Sequence, residues 1–293
     1  MAKASTRTRV LTTQDHRREL DENRYVYAVL SRRSGGVSIG VNLNPDKVCN
    51  FDCIYCQVDR TTPGRTPRVD LGILERELRD VLAMARSGVL FARPPFAGIP
   101  ERLRKVKDIA FSGDGEPTTY PRFREAVEIA VRAKEEAGLG HLKLVVITNA
   151  TMFHRPKVKE TLAFLDHHNG EIWAKLDAGT EAYYHLVDVT TISLRQVLEN
   201  ILDAARLRPL VIQSLFMKVH GVGPDRSEIA AYCDRLREIV AEGGKISLVQ
   251  VYTVARRPAQ PTVTPLSTAE VDAIAHAVRA IPLPVAAFYG GHE

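Results

Sequence analysis

Six short apolar runs, separated by amphipathic segments, are the feature of this sequence that most restricts its fold. Apolar and β-branched residues fill each run almost continuously, as is typical of parallel strands covered on both faces. The runs are VSIGVNL (37–43), KDIAFS (107–112), LKLVVIT (142–148), EIWAKLD (171–177), LVIQSLFM (210–217) and ISLVQVYT (246–253). Strands that alternate with helices predict an α/β protein with a parallel sheet and right-handed crossovers.

The segments between the runs carry helix signals. Apolar residues in 71–85 form one stripe, which predicts an amphipathic helix. Ser193 with Gln196, and Ser267 with Glu270, have the spacing of capping boxes and predict the starts of two later helices.

Six strand–helix units are fewer than the eight that close a full (β/α)₈ barrel. The sheet is therefore predicted to be an open doubly wound sheet or a partial barrel, with ligands beyond the carboxyl ends of its strands. The Pro-rich stretch 90–105 is interpreted as an insertion, because no domain boundary is evident around it. We expect one domain over 37–293, preceded by an N-terminal extension over 1–36.

Composition narrows the functional classes. The chain has 293 residues, of which 45% are hydrophobic and 26% charged, an ordinary globular balance. No apolar run is long enough for a membrane span, and the first twenty residues lack the apolar segment of a secretory signal. We therefore expect a cytoplasmic protein with no membrane partner.

The net charge of +5 is partly concentrated at the N-terminus. Residues 1–36 hold eight Lys or Arg, among them Arg32 and Arg33, against four Asp or Glu. This excess permits a nucleic-acid partner, and a solvated basic tail is the other explanation.

Three of the four cysteines, Cys49, Cys53 and Cys56, directly follow the first apolar run. In a reducing compartment such a cluster favours metal binding or redox chemistry over disulfides. Their spacing also fits one face of a helix in the core, but Asn50 and other polar neighbours favour a loop.

The type of metal group is only partly constrained by the spacing. A structural zinc site takes four protein ligands, and no fourth Cys or His lies near the triplet. Three thiolates suit a [4Fe–4S] cluster, with the fourth iron open to another ligand. The spacing favours the cluster and leaves zinc open.

The C-x₃-C-x₂-C motif, with Tyr55 just before its last cysteine, resembles the signature of radical S-adenosylmethionine (radical SAM) enzymes. The resemblance covers nearly the whole chain and implies a partial (β/α)₆ TIM-like barrel. It implies that Cys49, Cys53 and Cys56 hold a [4Fe–4S] cluster, whose open iron binds the methionine part of S-adenosylmethionine, and that Tyr55 lies at the cofactor. An electron, from a donor such as flavodoxin or ferredoxin, then cleaves the cofactor to methionine and a 5′-deoxyadenosyl radical that removes a hydrogen atom from a substrate.

A second motif, FSGDGEPT (111–118), ends the second run. The superfamily has a Gly-Gly-Glu-type motif here that meets the cofactor's amino group, which implies this role for Gly113, Gly115 and Glu116. Glycines let a backbone approach a ligand closely. Asp114 interrupts the usual pattern, and a simple glycine turn is the alternative.

A third candidate site ends the fourth run, in WAKLDAGT. Strand alternation puts Trp173, Lys175 and Asp177 on one face, where the two charges need partners or a polar ligand. The resemblance implies that Asp177 binds the cofactor's ribose, and we predict that Lys175 is catalytic. The alternative is a buried Lys175–Asp177 ion pair without a ligand. Asn149 and Tyr252, the latter where the family's sixth strand passes the adenine, are further predicted cofactor contacts.

Within the superfamily, these motifs and YTVARRPA (252–259) most resemble the branch of the wyosine-base-forming tRNA enzymes and related bacterial iron–sulfur oxidoreductases. This implies tRNA as a substrate. Arg256 and Arg257, at the carboxyl end of the sixth run, either form a solvated pair or are placed to meet phosphate. Those tRNA enzymes bind a second cluster through further cysteines, of which this chain has only Cys233. The alternatives are a radical enzyme acting on a protein or small metabolite, and a non-catalytic iron–sulfur or zinc module.

Overall fold

Strands and helices alternate along most of the chain. The computed structural model describes residues 20, 22–64, 66, 68–256, 258 and 260–290. Residues 1–19, with most of the basic residues of the predicted extension, and Arg257 lie outside the described residues. The strands are β1 (Val26–Ser31), β2 (Gly36–Val41), β3 (Val106–Phe111), β4 (Lys143–Thr148), β5 (Gly170–Lys175), β6 (Leu210–Val219), β7 (Ile246–Thr253), β8 (Val263–Pro265) and β9 (Val285–Phe288). The helices are α1 (Leu71–Ser87), α2 (Val89–Ala92), α3 (Phe123–Glu136), α4 (Pro156–Asp166), α5 (Glu181–Asp188), α6 (Leu194–Leu207), α7 (Arg226–Ala241) and α8 (Thr268–Arg279).

The main sheet has the order β1-β2-β3-β4-β5-β6-β7-β9. Strands β2 to β7 and β9 are parallel, β1 is antiparallel to β2, and β8 pairs antiparallel with the end of β6. All six predicted strands are present as β2 to β7. The sheet curls into a partial barrel, which confirms the predicted α/β class and single-domain (β/α)₆ TIM-like barrel.

Two edge strands were not predicted. Strand β1 lies within the predicted extension and pairs with β2 along its whole length, from Val26 opposite Val41 to Ser31 opposite Gly36. Strand β9 adds to the other edge, beside β7. The predicted boundary between an extension and the domain, at residue 36, stays a prediction. The first strand of the sheet, β1, lies before that residue.

Helices cover the convex face of the sheet. On α1, the predicted apolar stripe is buried through Leu74, Leu78, Val81 and Leu82, each 0% exposed. Full burial of one such side chain contributes about 1.5–3 kcal/mol. Ser267 and Glu270 form the complete capping box that opens α8, as predicted.

The parallel arrangement gathers the loops that carry the motifs. Because β2 to β7 run in the same direction, their carboxyl ends meet at one end of the barrel, which we call the mouth. The stretch 90–105 forms short helical turns before β3. None of the helices in the described part of the chain combines the length and the apolar character needed to cross a bilayer.

Candidate active site

The three clustered cysteines are free thiols, each partly exposed, on the loop that follows β2. All three line one cavity of about 290 Å³ inside the barrel. Most of the other predicted site residues line the same cavity, namely Tyr55, Gly113, Gly115, Glu116, Asn149, Lys175 and Tyr252. The sheet therefore brings together motifs that are far apart in the sequence.

The cysteine segment is a loop, as its polar residues indicated, and neighbouring elements hold it. The Asn50 side chain accepts a hydrogen bond from Asn149 Nδ2 (2.8 Å) and donates one to Thr151 Oγ1 (2.7 Å). The backbone N–H of Ile54 donates to the carbonyl of Val187 (3.0 Å). The loop is thus fixed to the end of β4 and to α5.

Two charged side chains contact the thiols. The Cys53 thiol lies 3.4 Å from Asp188 Oδ1, and an Arg60 N–H points at Cys56 Sγ at 3.6 Å. Burial, followed by the charge of Asp188, raises the pKa of the Cys53 thiol well above its ordinary value. Cys53 thus has a carboxylate beside its sulfur, and Cys56 has a guanidinium donor beside its own.

The thiols do not converge on a single point. Within the described ranges, no three His, Cys, Asp or Glu side chains are grouped to hold one metal ion. In an iron–sulfur cluster each thiolate binds its own iron, so convergence is not required. Three thiols that open onto one cavity, with Arg60 beside them, fit such a cluster.

The glycines of the second motif pack against the chain itself. A Cβ at Gly115 would lie 2.2 Å from the carbonyl oxygen of Val48, and a Cβ at Gly113 would lie 2.4 Å from Asn42 Oδ1. Such distances leave no room for a side chain. The glycines are required for the turn to contact the loop before the cysteines, whatever ligand binds there.

Glu116 is buried and surrounded by donors. One carboxylate oxygen accepts from Thr148 Oγ1 (2.7 Å) and from Thr118, and the other accepts from the backbone N–H of Asn149 (2.7 Å). Burial raises the pKa of Glu116, while these hydrogen bonds oppose the rise. The carboxylate holds the end of β4, and with it the Asn149 side chain that fixes the cysteine loop.

Both carboxylate oxygens of Asp177 also have partners within the chain. Its Oδ1 accepts from the backbone N–H of Leu215 (2.7 Å), and its Oδ2 contacts Lys175 Nζ (2.9 Å) and the Tyr55 hydroxyl (2.5 Å). Asp177 is 2% exposed and does not line the cavity. The buried ion pair weighed as the alternative is therefore present, and ribose binding by Asp177 stays a prediction.

Lys175 itself faces the cavity, beside Tyr55 and Tyr252. Burial lowers the pKa of Lys175, but nearby charges, led by Asp177, outweigh burial and leave it above the ordinary value. The Tyr252 hydroxyl lies 3.3 Å from Lys175 Nζ. The amine is therefore held as a protonated group on the cavity wall.

The sequence did not single out Asp188 or Arg60. Asp188 contacts both Cys53 and the Tyr55 hydroxyl (2.9 Å), and burial together with the charge of Asp177 raises its pKa to about 7. No local sequence pattern could predict the contact between Asp188 and Cys53, since the two residues are 135 positions apart. Arg60 follows Cys56 by only four positions, so its contact with the cysteine motif could have been predicted from the sequence.

The arginine predicted to meet phosphate lies at the mouth. Arg256 lines the cavity and donates a hydrogen bond to Gln57 Oε1 (3.0 Å), on the cysteine loop. Its neighbour Arg257 is outside the described residues.

Comparison with known families gives one match over most of the barrel. Residues 43–233 match the profile described as the radical SAM superfamily. A UPF0026 protein of Helicobacter pylori is 25% identical over 213 residues, which cover 72% of this chain and 61% of that protein. The chain thus spans less than two thirds of that relative's length.

Solved structures show the same fold. A radical SAM methyltransferase from Sphaerobacter thermophilus superposes with a TM-score of 0.61 at 15% identity, over 90% of this chain and 69% of that one. A structure of TYW1 with a lysine-pyruvate adduct bound superposes with a TM-score of 0.52 at 16% identity, over 90% of this chain and 85% of that one. At these identities the likeness is one of fold.

Proposed function

The chain belongs to the radical SAM superfamily, whose cofactors are a [4Fe–4S] cluster and S-adenosylmethionine, and we propose that it cleaves S-adenosylmethionine reductively to remove a hydrogen atom from a substrate. One observation carries this proposal: the three cysteine thiols open onto the same cavity as the glycine turn and Lys175. When bound, the cluster and S-adenosylmethionine supply the 5′-deoxyadenosyl radical. The electron would come from a donor such as flavodoxin or ferredoxin, in a reducing cytoplasm.

The residues at the mouth divide into ligands and supports. In this proposal Cys49, Cys53 and Cys56 would hold the cluster, and Arg60 would donate an N–H to the Cys56 sulfur. The backbone of the turn 113–116 meets the amino group of S-adenosylmethionine. Glu116 is given a structural role rather than a ligand's role, because both of its carboxylate oxygens already accept hydrogen bonds from the chain.

Lys175 is proposed to bind and orient rather than to accept a proton. Asp177 holds it protonated, so the ammonium presents a fixed positive charge and N–H donors to the cavity. Asn149 and Tyr252 are proposed contacts of the nucleoside part of the cofactor. Asp177 would reach the ribose only if Lys175 or Tyr55 gave up its hydrogen bond, so its first role is to position those two groups.

Anaerobic turnover tests the proposal. Protein reconstituted with iron and sulfide, reduced with dithionite and mixed with S-adenosylmethionine should form 5′-deoxyadenosine and methionine in equal amounts. Cys56→Ala should form neither. A loaded and reduced wild-type protein that yields no 5′-deoxyadenosine would instead support the non-catalytic module.

For the substrate we propose RNA, with tRNA as the first candidate. Support comes from the shared fold with TYW1, the net charge of +5 and the place of Arg256 at the mouth. A base would have to leave its stack to enter the cavity, as other base-modifying enzymes require. Cations around the mouth would then hold the flanking phosphates.

Salt-dependent binding tests the RNA proposal. Affinity for tRNA should fall steeply as salt rises, and the double variant Arg256→Ala/Arg257→Ala should weaken binding and reduce the salt slope by about one to two. Arg195→Ala, an exposed arginine on α6, is the matched control and should bind like wild type. Weak binding that is insensitive to salt and to these arginines would favour a protein or small-metabolite substrate.

A further inference from the structure

The turn between β1 and β2 places two arginines at the end of the cavity opposite the mouth. Arg32 and Arg33 line the same cavity as the cysteines, but they enter it from the amino ends of the parallel strands. Together with Asp108 they form what we call the floor. The sequence had grouped both arginines with a basic N-terminal tail, and the structure places them inside the barrel instead.

The hairpin that carries these arginines is fixed in position. The backbone N–H of Gly35 donates to the carbonyl of Ser31 (3.0 Å), and the N–H of Val37 donates to the carbonyl of Lys105 (2.9 Å). A Cβ at Gly36 would lie 2.6 Å from the Lys105 carbonyl oxygen, so the hairpin contacts the start of β3 closely. The arginines are thus presented by a backbone anchored to the sheet.

Arg33 is held by aromatic faces. Its Cζ lies 5.4 Å from the centroid of the Trp173 ring on β5 and 5.0 Å from that of the Tyr252 ring on β7. Both rings are more than nine-tenths buried, with exposures of 5% and 8%. A ring centroid does not take up N–H donors as an oxygen acceptor does, so these contacts leave the N–H donors of Arg33 available to an acceptor.

No acceptor in the described part of the chain takes up that edge. Neither Arg32 nor Arg33 makes a hydrogen bond or an ion pair with a described residue. Burial, and then the neighbouring charge of Arg33, lowers the pKa of Arg32. Asp108 is the carboxylate of the floor: it accepts a hydrogen bond from the Ser38 hydroxyl and lies near enough to feel the charge of Arg33, with no hydrogen bond or ion pair between the two. Two guanidinium groups therefore share the floor with one carboxylate that is already engaged.

Closing the barrel does not require this arrangement. Arg32 and Arg33 are both half-buried, and an apolar side chain would line the floor without placing two like charges next to each other. A guanidinium edge pairs with the two oxygens of a carboxylate or a phosphate in a bidentate geometry. Lys175, nearer the mouth on the same cavity wall, adds a further cation.

We propose that the lumen binds a small molecule bearing a carboxylate or phosphate, whose anionic group contacts Arg33 and Arg32 while the rest of the molecule extends toward Lys175 and the mouth. This inference rests on the proposed function, because it gives the chemical class of a substrate for the same cavity. If the modified molecule is an RNA base, the floor takes a second, small substrate.

The single tryptophan of the chain provides the test, because Trp173 is in contact with Arg33. Cluster-loaded protein with S-adenosylmethionine is titrated without reductant with inorganic phosphate, succinate or the neutral succinamide, and tryptophan emission and the heat of binding are followed. Phosphate or succinate should change the emission to saturation, and succinamide should not. The anion that saturates at the lower concentration identifies the preferred group.

Variants of Arg33 locate the binding. Arg33→Gln should weaken binding of the preferred anion by roughly tenfold or more, and Arg33→Lys should weaken it less, because the charge remains but the bidentate edge is lost. Arg102→Gln is the matched control, an exposed arginine in the turn Glu101–Leu103 that does not line the cavity, and should bind within about twofold of wild type.

Three results would overturn the proposal: an equal response to succinamide, no saturation by either anion below about 10 mM, or equal losses in Arg33→Gln and Arg102→Gln. If Arg33→Gln does not fold, the wild-type titration and Arg33→Lys decide. Failure of the proposed function is a separate result, because absent 5′-deoxyadenosine formation is measured with reductant and the anion titration without it.

Discussion

The mouth and the floor of the same cavity differ in how their charged groups are paired. At the mouth, the carboxylates of Glu116 and Asp177 accept hydrogen bonds from several groups of the chain. At the floor, the guanidinium of Arg33 lies over two aromatic rings but has no hydrogen-bond acceptor among the described residues. A buried acid with every oxygen engaged supports its neighbours, whereas a cation with free donors is available to a ligand.

This difference predicts that changes at the mouth damage the protein itself, and that changes at the floor alter mainly what it binds. The substitutions below test the comparison, beginning with the largest expected effect.

Cys53→Ala should abolish cluster binding. Anaerobically prepared wild-type protein should contain about four iron atoms per chain, because three thiolates can hold one [4Fe–4S] cluster. The variant should lose this iron and its visible absorbance. Cys233→Ala is the control and should keep the iron, because Cys233 is buried on α7 in the core. Stoichiometric zinc without iron in the wild-type protein would contradict the assignment of the mouth.

Asp177→Ala should reduce the free energy of unfolding by about 3–5 kcal/mol, because Asp177 is the buried partner of the ion pair and its loss leaves the Lys175 ammonium unpaired. Urea unfolding measures the loss. The double variant Asp177→Ala/Lys175→Met should recover much of it, since the unpaired charge is then gone. Glu199→Ala, which breaks an exposed pair with Arg195, should cost no more than about 0.5 kcal/mol. Equal instability of the single and double variants would argue against the ion pair as the support of this wall.

Gly115→Ala should destabilise the fold by about 1–3 kcal/mol, because the new Cβ would overlap the Val48 carbonyl in a packed turn. Thermal unfolding measures the change. A Cβ at Gly140 meets nothing within 4 Å, so Gly140→Ala should change stability by less than about 0.5 kcal/mol. Equal stability of the two variants would contradict a close contact between the glycine turn and the segment before the cysteines.

Asp108→Asn tests the floor and should have the smallest effect, on the order of 1 kcal/mol. Burial raises the pKa of Asp108 in the folded protein, although hydrogen bonds from Ser34 and Ser38 oppose the rise. A raised folded-state pKa means that this group's contribution to stability is complete below its ordinary pKa near 4 and is lost as pH rises through the raised value. Urea unfolding between pH 4 and pH 8 should show this loss in wild type and a flatter profile in Asp108→Asn. Parallel pH profiles would show that Asp108 titrates as in the unfolded chain.

The strands of the barrel could be predicted because their sequence reflects burial on both faces. Each of the runs that became β2 to β7 has an apolar stretch at its centre, which is what a parallel strand between helices and a lumen requires. Strand β1 has a similar run, VYAVLS, but it lies in a stretch interpreted as an extension. Whether an edge segment joins a sheet depends on the strand it pairs with, and no local pattern in the sequence of β1 predicts its pairing with β2.

The chemistry at the mouth could be predicted where one short segment carries it. The cysteine triplet and the glycine turn are local motifs, and their positions after two parallel strands place them at the same end of the barrel. Asp188 and the donors around Glu116 could not be found in this way. Their partners lie on other strands and helices, and the register of the sheet determines which of them meet.

The sequence by itself therefore determined the fold class, the strands that form the barrel and the residue types at its mouth, because periodicity and spacing are properties of neighbouring residues. Only the tertiary structure decided which charges are paired and which are free. Lys175 and Asp177 could have bound a ligand or each other, and the approach of Leu215 and Tyr55 completed the pairing. From the sequence, Arg33 was grouped with a basic tail that could be solvated. The hairpin instead places it within contact of two rings, because the curl of the sheet, which no single segment encodes, brings β5 and β7 near it.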